Sequence, residues 1–414
     1  MTPAGSFLPY GRQTIEDDDI AAVGAVLRSD YLTTGPMVDR FETAFAAHVD
    51  ARFAVSCSSG TAGLHMAMLA LGLGAGDAVI VPALTFLATA NAVRFTGAEA
   101  VFADVSPETG LMSAEHLDAA IAEARRRGLT VKAVAPVHFA GQAVELAPFK
   151  AVLDRVDLGD VAIVEDACHA IGTRSREGAR DHAVGDCHAS AMAVFSLHPV
   201  KLIAMGEGGV VTTADPTLND RLRLARNHGM TRNPHDFANR ALAFDADGAA
   251  NPWYYEMHEP GYNYRASAIH CALGLSQIGK LERFAARRTA LVARYDKRLA
   301  PLASVVWPLG RREGCRPAWH LYVIRVDFAA LGMTRAATMR ALADKGIGTQ
   351  VHYLPLHLQP YYAQRYGAYA LPGAERLYRE MLSIPLFPAM SDADADRVVD
   401  GIAAIVGDKA GRQS

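Results

Sequence analysis

Short apolar strands alternate with helices across the first half of the chain, and this alternation constrains the fold more than any other feature. Apolar strands of this kind are typical of a parallel or mostly parallel sheet that is covered by helices on both faces. In such sheets ligands bind at the carboxyl ends of the strands. We therefore predict an α/β fold with strands at 52–56, 78–82, 100–105, 131–137 and 161–164, and with helices between them at 64–71, 87–95, 114–127 and 146–156.

The remainder of the chain is less regular. A polar stretch at 229–264 is long enough to be functional or interfacial, and one long helical pattern covers 266–299. A chain of 414 residues exceeds what one simple core usually supports. We predict an N-terminal arm and a large domain over 1–265, then a long connecting helix and a small α+β domain over 266–414. Further predicted elements are helices at 17–27, 38–49, 218–226, 334–345, 374–382 and 392–406, and strands at 189–196, 208–213, 321–326 and 348–353.

Composition narrows the class of protein. The net charge is −3 and there is no basic block, so nucleic acid is not an expected partner. Five cysteines without a CxxC pair disfavour a disulfide scaffold or a zinc ribbon. Cys168-His169 and Cys187-His188 lack the spacing of metal ligands, so no metal site is predicted. No apolar run is long enough to span a bilayer, and residues 1–11 carry no targeting pattern, so we expect a soluble cytoplasmic enzyme.

Lys201 stands in a long apolar run. Residues 189–200 carry no formal charge, and the first acid downstream is Glu207. Burial removes hydration from an ammonium group and lowers its pKa. A neutral amine forms Schiff bases with carbonyl compounds, including pyridoxal 5′-phosphate (PLP). The alternative is a lysine that reaches solvent from the end of a strand.

Three further features lie at predicted strand ends. Residues 58–62 begin a helix, where free N–H groups and hydroxyls bind anions, although a plain N-cap is the alternative. Asp166 could accept a hydrogen bond from a pyridinium nitrogen, or it could cap the next turn. Phe86 could stack on a cofactor ring, or it could pack in the core. Together with Lys201, these features favour PLP chemistry.

Neighbouring residues extend this interpretation. Ser196 lies five residues before Lys201 and could reach a cofactor phosphate, and His169 lies close enough to Asp166 to touch the same ring. Glu165 points to the opposite face of its strand and is the weaker acid candidate. Neither a GxGxxG fingerprint nor a P-loop occurs, so nucleotide-binding motifs are not supported.

Motifs spread over nearly the whole chain resemble those of the DegT-type sugar aminotransferases. The resemblance implies the fold-type I architecture of aspartate aminotransferase, PLP as cofactor, and active sites built across a homodimer interface. The motifs are Ser-Gly-Thr-Ala-Gly-Leu (59–64), Thr-Phe-Leu-Ala-Thr-Ala-Asn-Ala (85–92), Glu-Asp-Ala-Cys-His-Ala-Ile-Gly (165–172), Phe-Ser-Leu-His-Pro-Val-Lys (195–201), Gly-Glu-Gly-Gly (206–209), Arg-Asn-His-Gly (226–229) and Gly-Tyr-Asn-Tyr-Arg (261–265).

The resemblance also implies a role for each matching residue. Lys201 would be the Schiff-base lysine that carries a proton between the amino-acid Cα and C4′ of the cofactor. Asp166 would pair with the pyridine nitrogen, Phe86 would stack on the ring, and His169 would contact its hydroxyl side. Contacts to the phosphate would come from Thr61, Ala62 and Ser196 and, for the cofactor of the neighbouring subunit, from Asn263.

A narrower similarity points to the branch of this family that acts in the pseudaminic acid pathway. It implies transfer of an amino group from L-glutamate, which leaves as 2-oxoglutarate, to C4 of a UDP-linked 4-keto-6-deoxy-N-acetylated hexose. The motifs are His-Pro-Val-Lys (198–201), Asn-Pro-Trp-Tyr-Tyr-Glu-Met-His-Glu (251–259), Gly-Ile-Gly-Thr-Gln-Val-His-Tyr-Leu-Pro-Leu-His-Leu-Gln-Pro-Tyr-Tyr (346–362) and Leu-Phe-Pro-Ala-Met (386–390). The residues expected to face the sugar nucleotide are Thr33, His352, Tyr353 and His357.

Two departures from the family pattern stand out. Gly63 replaces an alanine found in many members, a change expected to cost little within a helix. The loop at 237–250 is longer than usual and lies near the substrate side. The alternatives are an aminotransferase for another nucleotide-linked keto sugar, a PLP-fold sugar dehydratase, in which histidine replaces the lysine, and a non-catalytic binding protein.

Overall fold

The computed structural model describes residues 7–410, with side chains described as far as residue 407. The predicted domain limits at 1 and 414 therefore lie outside the described residues. The helices are α1 (Asp17–Leu27), α2 (Pro36–His48), α3 (Gly60–Ala70), α4 (Leu87–Phe95), α5 (Ala114–Arg126), α6 (Ala147–Arg155), α7 (Pro216–Arg226), α8 (Arg240–Ala243), α9 (Ala268–Ile278), α10 (Leu281–Leu299), α11 (Phe328–Leu331), α12 (Arg335–Asp344), α13 (Pro360–Tyr366), α14 (Pro372–Glu380) and α15 (Asp392–Ala410).

The strands follow the same chain order. They are β1 (Phe53–Cys57), β2 (Asp77–Pro82), β3 (Glu99–Ala103), β4 (Thr130–Val134), β5 (Ala162–Asp166), β6 (Arg174–Glu177), β7 (Arg180–Ala183), β8 (Met192–Ser196), β9 (Gly209–Thr213), β10 (Met230–Thr231), β11 (Glu256–Met257), β12 (Val306–Pro308), β13 (Cys315–Arg316), β14 (Tyr322–Val326) and β15 (Met381–Ile384).

A seven-stranded sheet in the order β1-β9-β8-β5-β4-β2-β3 forms the centre of the protein. Strands β8, β5, β4, β2 and β3 pair in parallel. Strand β9 is antiparallel to both of its neighbours, β1 and β8, so β1 runs in the same direction as the parallel strands. The predicted α/β fold with a mostly parallel sheet is therefore confirmed, and the carboxyl ends of β1, β2, β5 and β8 share one edge.

Helix α3 packs closely against this sheet, over β8 and β9. A Cβ atom added to Gly63 would lie 2.8 Å from Val194 Cγ1 and 3.3 Å from Cys57 Sγ. Contacts that short require the strand side chains to shift, since protein interiors are close-packed. Glycine at this position therefore permits the close approach of helix and sheet, and its low cost within the helix stays a prediction.

A second hydrophobic core forms around the antiparallel sheet β12-β14-β15. Helices α10 and α15 pack together beside it. Leu8, close to the start of the described chain, is fully buried in this core and pairs with Ile347. The N-terminal segment is thus anchored to the C-terminal part of the chain, and the predicted boundary at 265/266 stays a prediction.

Two predicted elements differ from the structure. The single helix predicted at 266–299 is two helices, α9 and α10, because Gly279 caps the first and Lys280 precedes the second. The helical periodicity of the sequence continues through Gly279 and Lys280, so the sequence did not reveal the break between the two helices. The strand predicted at 348–353 does not form beyond one bridge between Gln350 and Ser383; β15 supplies the sheet strand instead, and the predicted helix at 374–382 ends at Glu380.

The polar stretch at 229–264 contains only short elements, namely β10, a 3-10 turn at Pro234–Asp236, α8 and β11. The sequence did not predict the β6–β7 hairpin, because its strands carry charged side chains in place of an apolar run. Within the described residues, no helix combines the length and apolar character needed to cross a bilayer.

Candidate active site

A cavity of about 560 Å³ lies at the carboxyl edge of the sheet. Its wall combines the loops that follow β1, β2, β5 and β8 with the segment at 350–353. This is the position expected for a ligand site in a parallel sheet. The predicted residues that line it are Thr61, Phe86, Asp166, His169, Ser196, Lys201, His352 and Tyr353.

Two predicted residues near the start of the chain do not line the cavity. Ala62 is buried in the first turn of α3, where its N–H donates to Ser59 Oγ at 3.1 Å. Thr33 is exposed, and its carbonyl accepts a hydrogen bond from the Ala268 N–H at 2.9 Å. Ala62 therefore lies buried in the helix next to the cavity wall, whereas Thr33 lies on the surface.

Two other predicted residues also lie away from the cavity wall. Asn263 is exposed and forms an isolated bridge with Asn227. His357 is 3% exposed, and its Nε2 lies 3.3 Å from Glu375 Oε1. Neither side chain joins the cluster around Lys201 within this chain, so the phosphate contact implied for Asn263 and the sugar contact expected of His357 stay predictions.

Lys201 faces the cavity from a turn that follows β8. Its backbone N–H donates to the His198 carbonyl at 2.8 Å, and its Nζ lies 3.4 Å from His320 Nε2. Burial lowers the pKa of Lys201, although Cys168 and Asp166 oppose the shift. A buried amine with a lowered pKa is a nucleophile and a proton carrier. The structure favours this interpretation over a lysine that reaches solvent.

Asp166 ends β5 and is 5% exposed. Its Oδ2 accepts a hydrogen bond from Thr89 Oγ1 at 2.7 Å, and its Oδ1 accepts one from the Cys168 N–H at 3.2 Å. Thr89 is itself bonded to Thr85 Oγ1 at 2.9 Å. The carboxylate is therefore held in one orientation at the cavity wall. Sequence reasoning missed Thr89, although it lies within the Thr-Phe-Leu-Ala-Thr motif.

Glu165 lies on the opposite face of the strand, as the alternation of side chains predicts. It is 4% exposed. Its Oε2 lies 2.7 Å from His138 Nε2, and its Oε1 accepts from Ser190 Oγ. Glu165 is thus satisfied inside the protein, and Asp166 is the acid that faces the cavity.

The N-terminus of α3 forms another part of the wall. Ser59, rather than Ser58, is the N-cap, and the first turn contains no acidic residue. The N–H groups of Gly60 and Thr61 belong to that first turn, where an α-helix has no internal acceptor for them. A Cβ on Gly60 would lie 2.9 Å from Ser196 Cβ, so glycine keeps this corner open. The N-cap and the anion-binding interpretations are therefore compatible.

An aromatic and histidine cluster closes the cavity. The Phe86 side chain is 54% exposed, and its ring centroid lies 5.8 Å from that of Tyr353. Burial raises the pKa of Tyr353, so its hydroxyl keeps its proton and can donate to His169 Nε2, 3.1 Å away. Burial, with the nearby Lys201, lowers the pKa of His169 well below its usual range. The His169 Nδ1 is buried and has no hydrogen-bond partner among the described residues.

His320 is a cavity residue that sequence reasoning missed. It is 4% exposed, and its ring centroid lies 4.3 Å from that of His169. Burial and the nearby Lys201 lower its pKa well below the usual range, so the ring is neutral beside the lysine. The available signal was a histidine at the start of the apolar strand β14. Tyr10, from the N-terminal segment, also lines the cavity and was not predicted.

The mostly parallel sheet, with a buried lysine, an acid and a helix N-terminus at its carboxyl edge, has the architecture of the fold-type I PLP-dependent transferases. Residues 13–403 match the sequence model of the DegT/DnrJ/EryC1/StrS aminotransferase family. The chain therefore belongs to this family of sugar aminotransferases, and the family and fold predicted from the motifs are confirmed.

Solved structures agree with this assignment. Spr1654 from Streptococcus pneumoniae, in its PLP-form, is 26% identical with a TM-score of 0.84 and covers 97% of this chain and 99% of its own. The sugar aminotransferase CalS13 from Micromonospora echinospora is 30% identical with a TM-score of 0.81, covering 96% of this chain and 99% of its own. PseC from Helicobacter pylori, an aminotransferase involved in the biosynthesis of pseudoaminic acid, is 23% identical with a TM-score of 0.84 and covers 97% and 100%. At that identity, PseC shows a shared fold alone.

Proposed function

We propose that this protein is a PLP-dependent transaminase that moves an amino group from L-glutamate to C4 of a UDP-linked 4-keto-6-deoxy-N-acetylated hexose, as in pseudaminic acid biosynthesis. One observation carries the chemistry: Lys201, with a lowered pKa, faces a cavity that it shares with Asp166. The choice of sugar rests on the motifs at 198–201, 251–259, 346–362 and 386–390.

Pyridoxal 5′-phosphate is the cofactor, and the described residues fit it. Asp166 offers a fixed acceptor for a protonated ring nitrogen, and the first turn of α3 with Ser196 offers hydrogen-bond donors for a phosphate. The unpartnered His169 Nδ1 and the half-exposed Phe86 are available to the ring. When bound, the cofactor supplies an electron sink that stabilises negative charge at the amino-acid Cα.

The chain's own groups perform the proton transfers. With the cofactor bound, the Lys201 Nζ would take a proton from Cα of glutamate in the first half-reaction and return a proton to the sugar C4 in the second. Asp166, held by Thr89 and Cys168, would keep the ring nitrogen protonated. His320 adds no positive charge beside Lys201, because its pKa is well below the usual range.

Two of the four residues predicted to contact the sugar belong to the cavity. His352 is buried, its Nδ1 lies 2.8 Å from Ser383 Oγ, and burial lowers its pKa to about 3. The ring is therefore neutral and offers a hydrogen bond without a charge. Tyr353 lies beside it, with its hydroxyl on His169. Thr33 and His357 lie outside this wall, and their contact with the substrate stays a prediction.

We also infer a homodimer whose interface completes the site. Exposed apolar side chains cluster in sequence around the segment that carries Asn263, and large exposed apolar patches mark interaction surfaces. They include Trp253 (69% exposed), Tyr255 (55%), Met257 (61%) and Tyr262 (38%). Light scattering on the purified protein measures the mass, and a monomer at micromolar concentration would contradict this inference.

The assignment is tested by incubating the holoenzyme with L-glutamate and a panel of UDP- and dTDP-linked 4-keto sugars. We expect stoichiometric 2-oxoglutarate and a 4-amino sugar, identified by mass and NMR, with the UDP-linked N-acetylated substrate used best. Preference for another keto sugar would overturn the substrate assignment alone. Release of ammonia without 2-oxoglutarate would indicate a dehydratase. A protein without PLP absorbance would indicate a binding protein and overturn the whole proposal.

A further inference from the structure

A second polar cluster lies outside the cavity, where the β6–β7 hairpin meets the loop that leads into β8. It comprises Glu177, His182 and His188, whose ligand atoms all lie within 4.8 Å of one another. The side chains of Glu177 and His182 are 7% and 6% exposed, and that of His188 is 16% exposed. Buried charged and polar groups are costly unless they are paired or coordinate a metal.

His182 presents a free lone pair to this cluster. Its Nδ1 lies 3.3 Å from the Ala183 carbonyl oxygen. A carbonyl only accepts, so Nδ1 carries the proton and Nε2 of the neutral ring carries the lone pair. That Nε2 is buried without a hydrogen-bond partner among the described residues, and it lies 3.8 Å from Glu177 Oε1. The arrangement matches that of metal-bound histidines, which donate the other N–H to a carbonyl or a carboxylate.

His188 is oriented in the same way by a carboxylate. Its Nδ1 lies 2.8 Å from Asp186 Oδ1, and the second oxygen of Asp186 accepts from Arg180 at 3.2 Å. Because the carboxylate accepts, Nδ1 carries a proton, and the neutral ring has its lone pair on Nε2. This Nε2 lies 4.0 Å from Glu177 Oε2. Asp186 thus takes the position of the outer carboxylate in a carboxylate–histidine–metal triad.

Glu177 supplies the anionic member. Its Oε1 accepts a hydrogen bond from the Leu146 N–H at 2.9 Å, just before α6, which fixes the carboxylate. Its Oε2 is directed toward the His188 ring. Two imidazoles and one carboxylate, each held by a separate outer contact, therefore converge from β6, from β7 and from the loop before β8.

We propose that Glu177, His182 and His188 bind a divalent transition metal of the zinc type, with water in the remaining position. Bond lengths of about 2.0–2.2 Å in a tetrahedral zinc site place ligand atoms about 3.3 Å apart. The distances from His182 Nε2 to Glu177 Oε1 (3.8 Å) and from His188 Nε2 to Glu177 Oε2 (4.0 Å) would contract by about 0.5 and about 0.7 Å. All ligand atoms already lie within 4.8 Å of one another, so side-chain rotations can close the site around an ion. The ion would join the hairpin to the loop before β8, the strand that ends at Ser196 in the cavity wall.

The sequence predicted no metal site because the adjacent Cys–His pairs lack ligand spacing. The hairpin brings the residues together: Glu177 pairs with Arg180 and Ser175 with His182, so Glu177 and His182 lie two positions apart on adjacent strands. The following loop returns His188 to the same cluster. Neither cysteine of those pairs belongs to the cluster. The candidate metal site therefore forms only when β6 and β7 fold into a hairpin, and the sequence did not predict these two polar strands.

The test is zinc binding to the chelator-treated holoenzyme, measured with Zn²⁺ alone by competition with a metal indicator and by elemental analysis. We expect one tightly bound zinc per chain. His182→Ala and His188→Ala should each weaken binding by about 100-fold or more, and Glu177→Gln should weaken it less. His235→Ala, which removes an exposed histidine outside the cluster, serves as the matched control and should leave binding unchanged.

Equal zinc binding by the wild type and by His182→Ala would overturn the proposal. A second measurement uses only the wild-type protein, so it tests the proposal even if a variant fails to fold. In crystals of the wild-type holoenzyme soaked with Zn²⁺, anomalous scattering at the zinc edge should place the ion between the three side chains. An ion found only elsewhere, or no ion, would overturn the proposal equally.

Discussion

Lys201 is half-buried and Lys280 is buried, and their surroundings shift their pKa values in opposite directions. Lys280 is 6% exposed, and its Nζ lies 2.6 Å from Asp19, 2.7 Å from Asp18 and 3.5 Å from Glu16. Burial alone would lower its pKa, but Asp18 and Asp19 in the first helix raise it above the usual value. Lys201 has no such ion pair among the described residues, and burial lowers its pKa.

The difference shows that burial alone does not make a lysine reactive. Around Lys280, three acids keep the amine charged and use it to tie α1 to the start of α10. Around Lys201, the Nζ lies 3.4 Å from Nε2 of His320, whose pKa is well below its usual range, and Asp166 is engaged by Thr89 and Cys168. The same side chain is therefore a structural cation in one place and a candidate nucleophile in the other.

The largest expected effect comes from removing the amine of Lys201. Lys201→Ala should lower transamination by about 10²–10⁴-fold or more, because no other amine replaces its proton transfer. Borohydride treatment followed by peptide mapping should find cofactor attached to the wild-type peptide that contains Lys201 and none in the variant. Lys280→Met serves as the control for lysine loss and should keep attached cofactor. Turnover by Lys201→Ala at the wild-type rate would remove Lys201 from the mechanism.

The sequence could predict the Lys201 site because its signals are local. An apolar run, a strand end and a helix start each occupy a few consecutive residues, and the helices at 17–27 and 87–95 were predicted with the bounds that the structure has. The role of Lys280 could not be predicted in this way. Its partners in α1 lie more than 250 residues away, and the helical pattern around it gave no sign of the break after Gly279.

The dependence on contacts between distant parts of the sequence also explains why His320 and the β6–β7 hairpin were not predicted. His320 reaches Lys201 only because the segment just before β14 forms part of the cavity wall, a contact between residues 119 apart in sequence. The β6–β7 hairpin lacks an apolar strand pattern, since its sequences are Arg-Ser-Arg-Glu and Arg-Asp-His-Ala. Periodicity reports which residues are buried in regular elements, and it does not report which polar side chains tertiary packing brings together.

The second largest effect should appear in stability. Lys280→Met leaves the fully buried carboxylate of Asp19 without its cation, and breaking a buried ion pair costs about 3–5 kcal/mol. The free energy of unfolding, from urea denaturation of the holoenzyme, should fall by that amount. Arg283→Ala, which breaks a solvent-exposed pair with Glu16, is the matched control and should cost about 1 kcal/mol or less. Equal losses in the two variants would mean that Lys280 is no more than a surface cation.

A smaller effect should follow from releasing Asp166. Thr89→Val keeps the shape of the side chain but removes the hydroxyl that donates to Asp166 Oδ2 at 2.7 Å. Hydrogen bonds to charged groups contribute about 1.5–3 kcal/mol, so kcat/KM should fall by about 10- to 150-fold while Lys201 stays in place. The retained covalent attachment of the cofactor separates this variant from Lys201→Ala. An unchanged kcat/KM would show that Cys168 alone orients the acid.

The smallest effect is the pH dependence of the Asp19–Lys280 contribution. Burial alone would raise the pKa of Asp19, but hydrogen bonds from Lys280 and Ser276 bring it below its usual value. The unfolded chain therefore binds the proton more readily, so the stabilisation is complete above the ordinary pKa of the acid and is lost as pH falls through the lower folded pKa. For Lys280, whose folded pKa is raised, the stabilisation is complete below the ordinary lysine pKa and is lost as pH rises through the folded value.

The difference in unfolding free energy between the wild type and Lys280→Met should consequently stay constant from about pH 5 to 9 and shrink as the pH drops toward 3. Urea titrations of both proteins at each pH measure it. The sign for Lys201 is opposite to that for Lys280: its folded pKa is lowered, so the unfolded chain holds the extra proton and the contribution of this group to stability rises with pH up to the ordinary lysine pKa. If the difference in unfolding free energy kept its full size at pH 3, Asp19 would not be the carboxylate that holds Lys280. The contrast between Lys201 and Lys280 would then rest on burial alone.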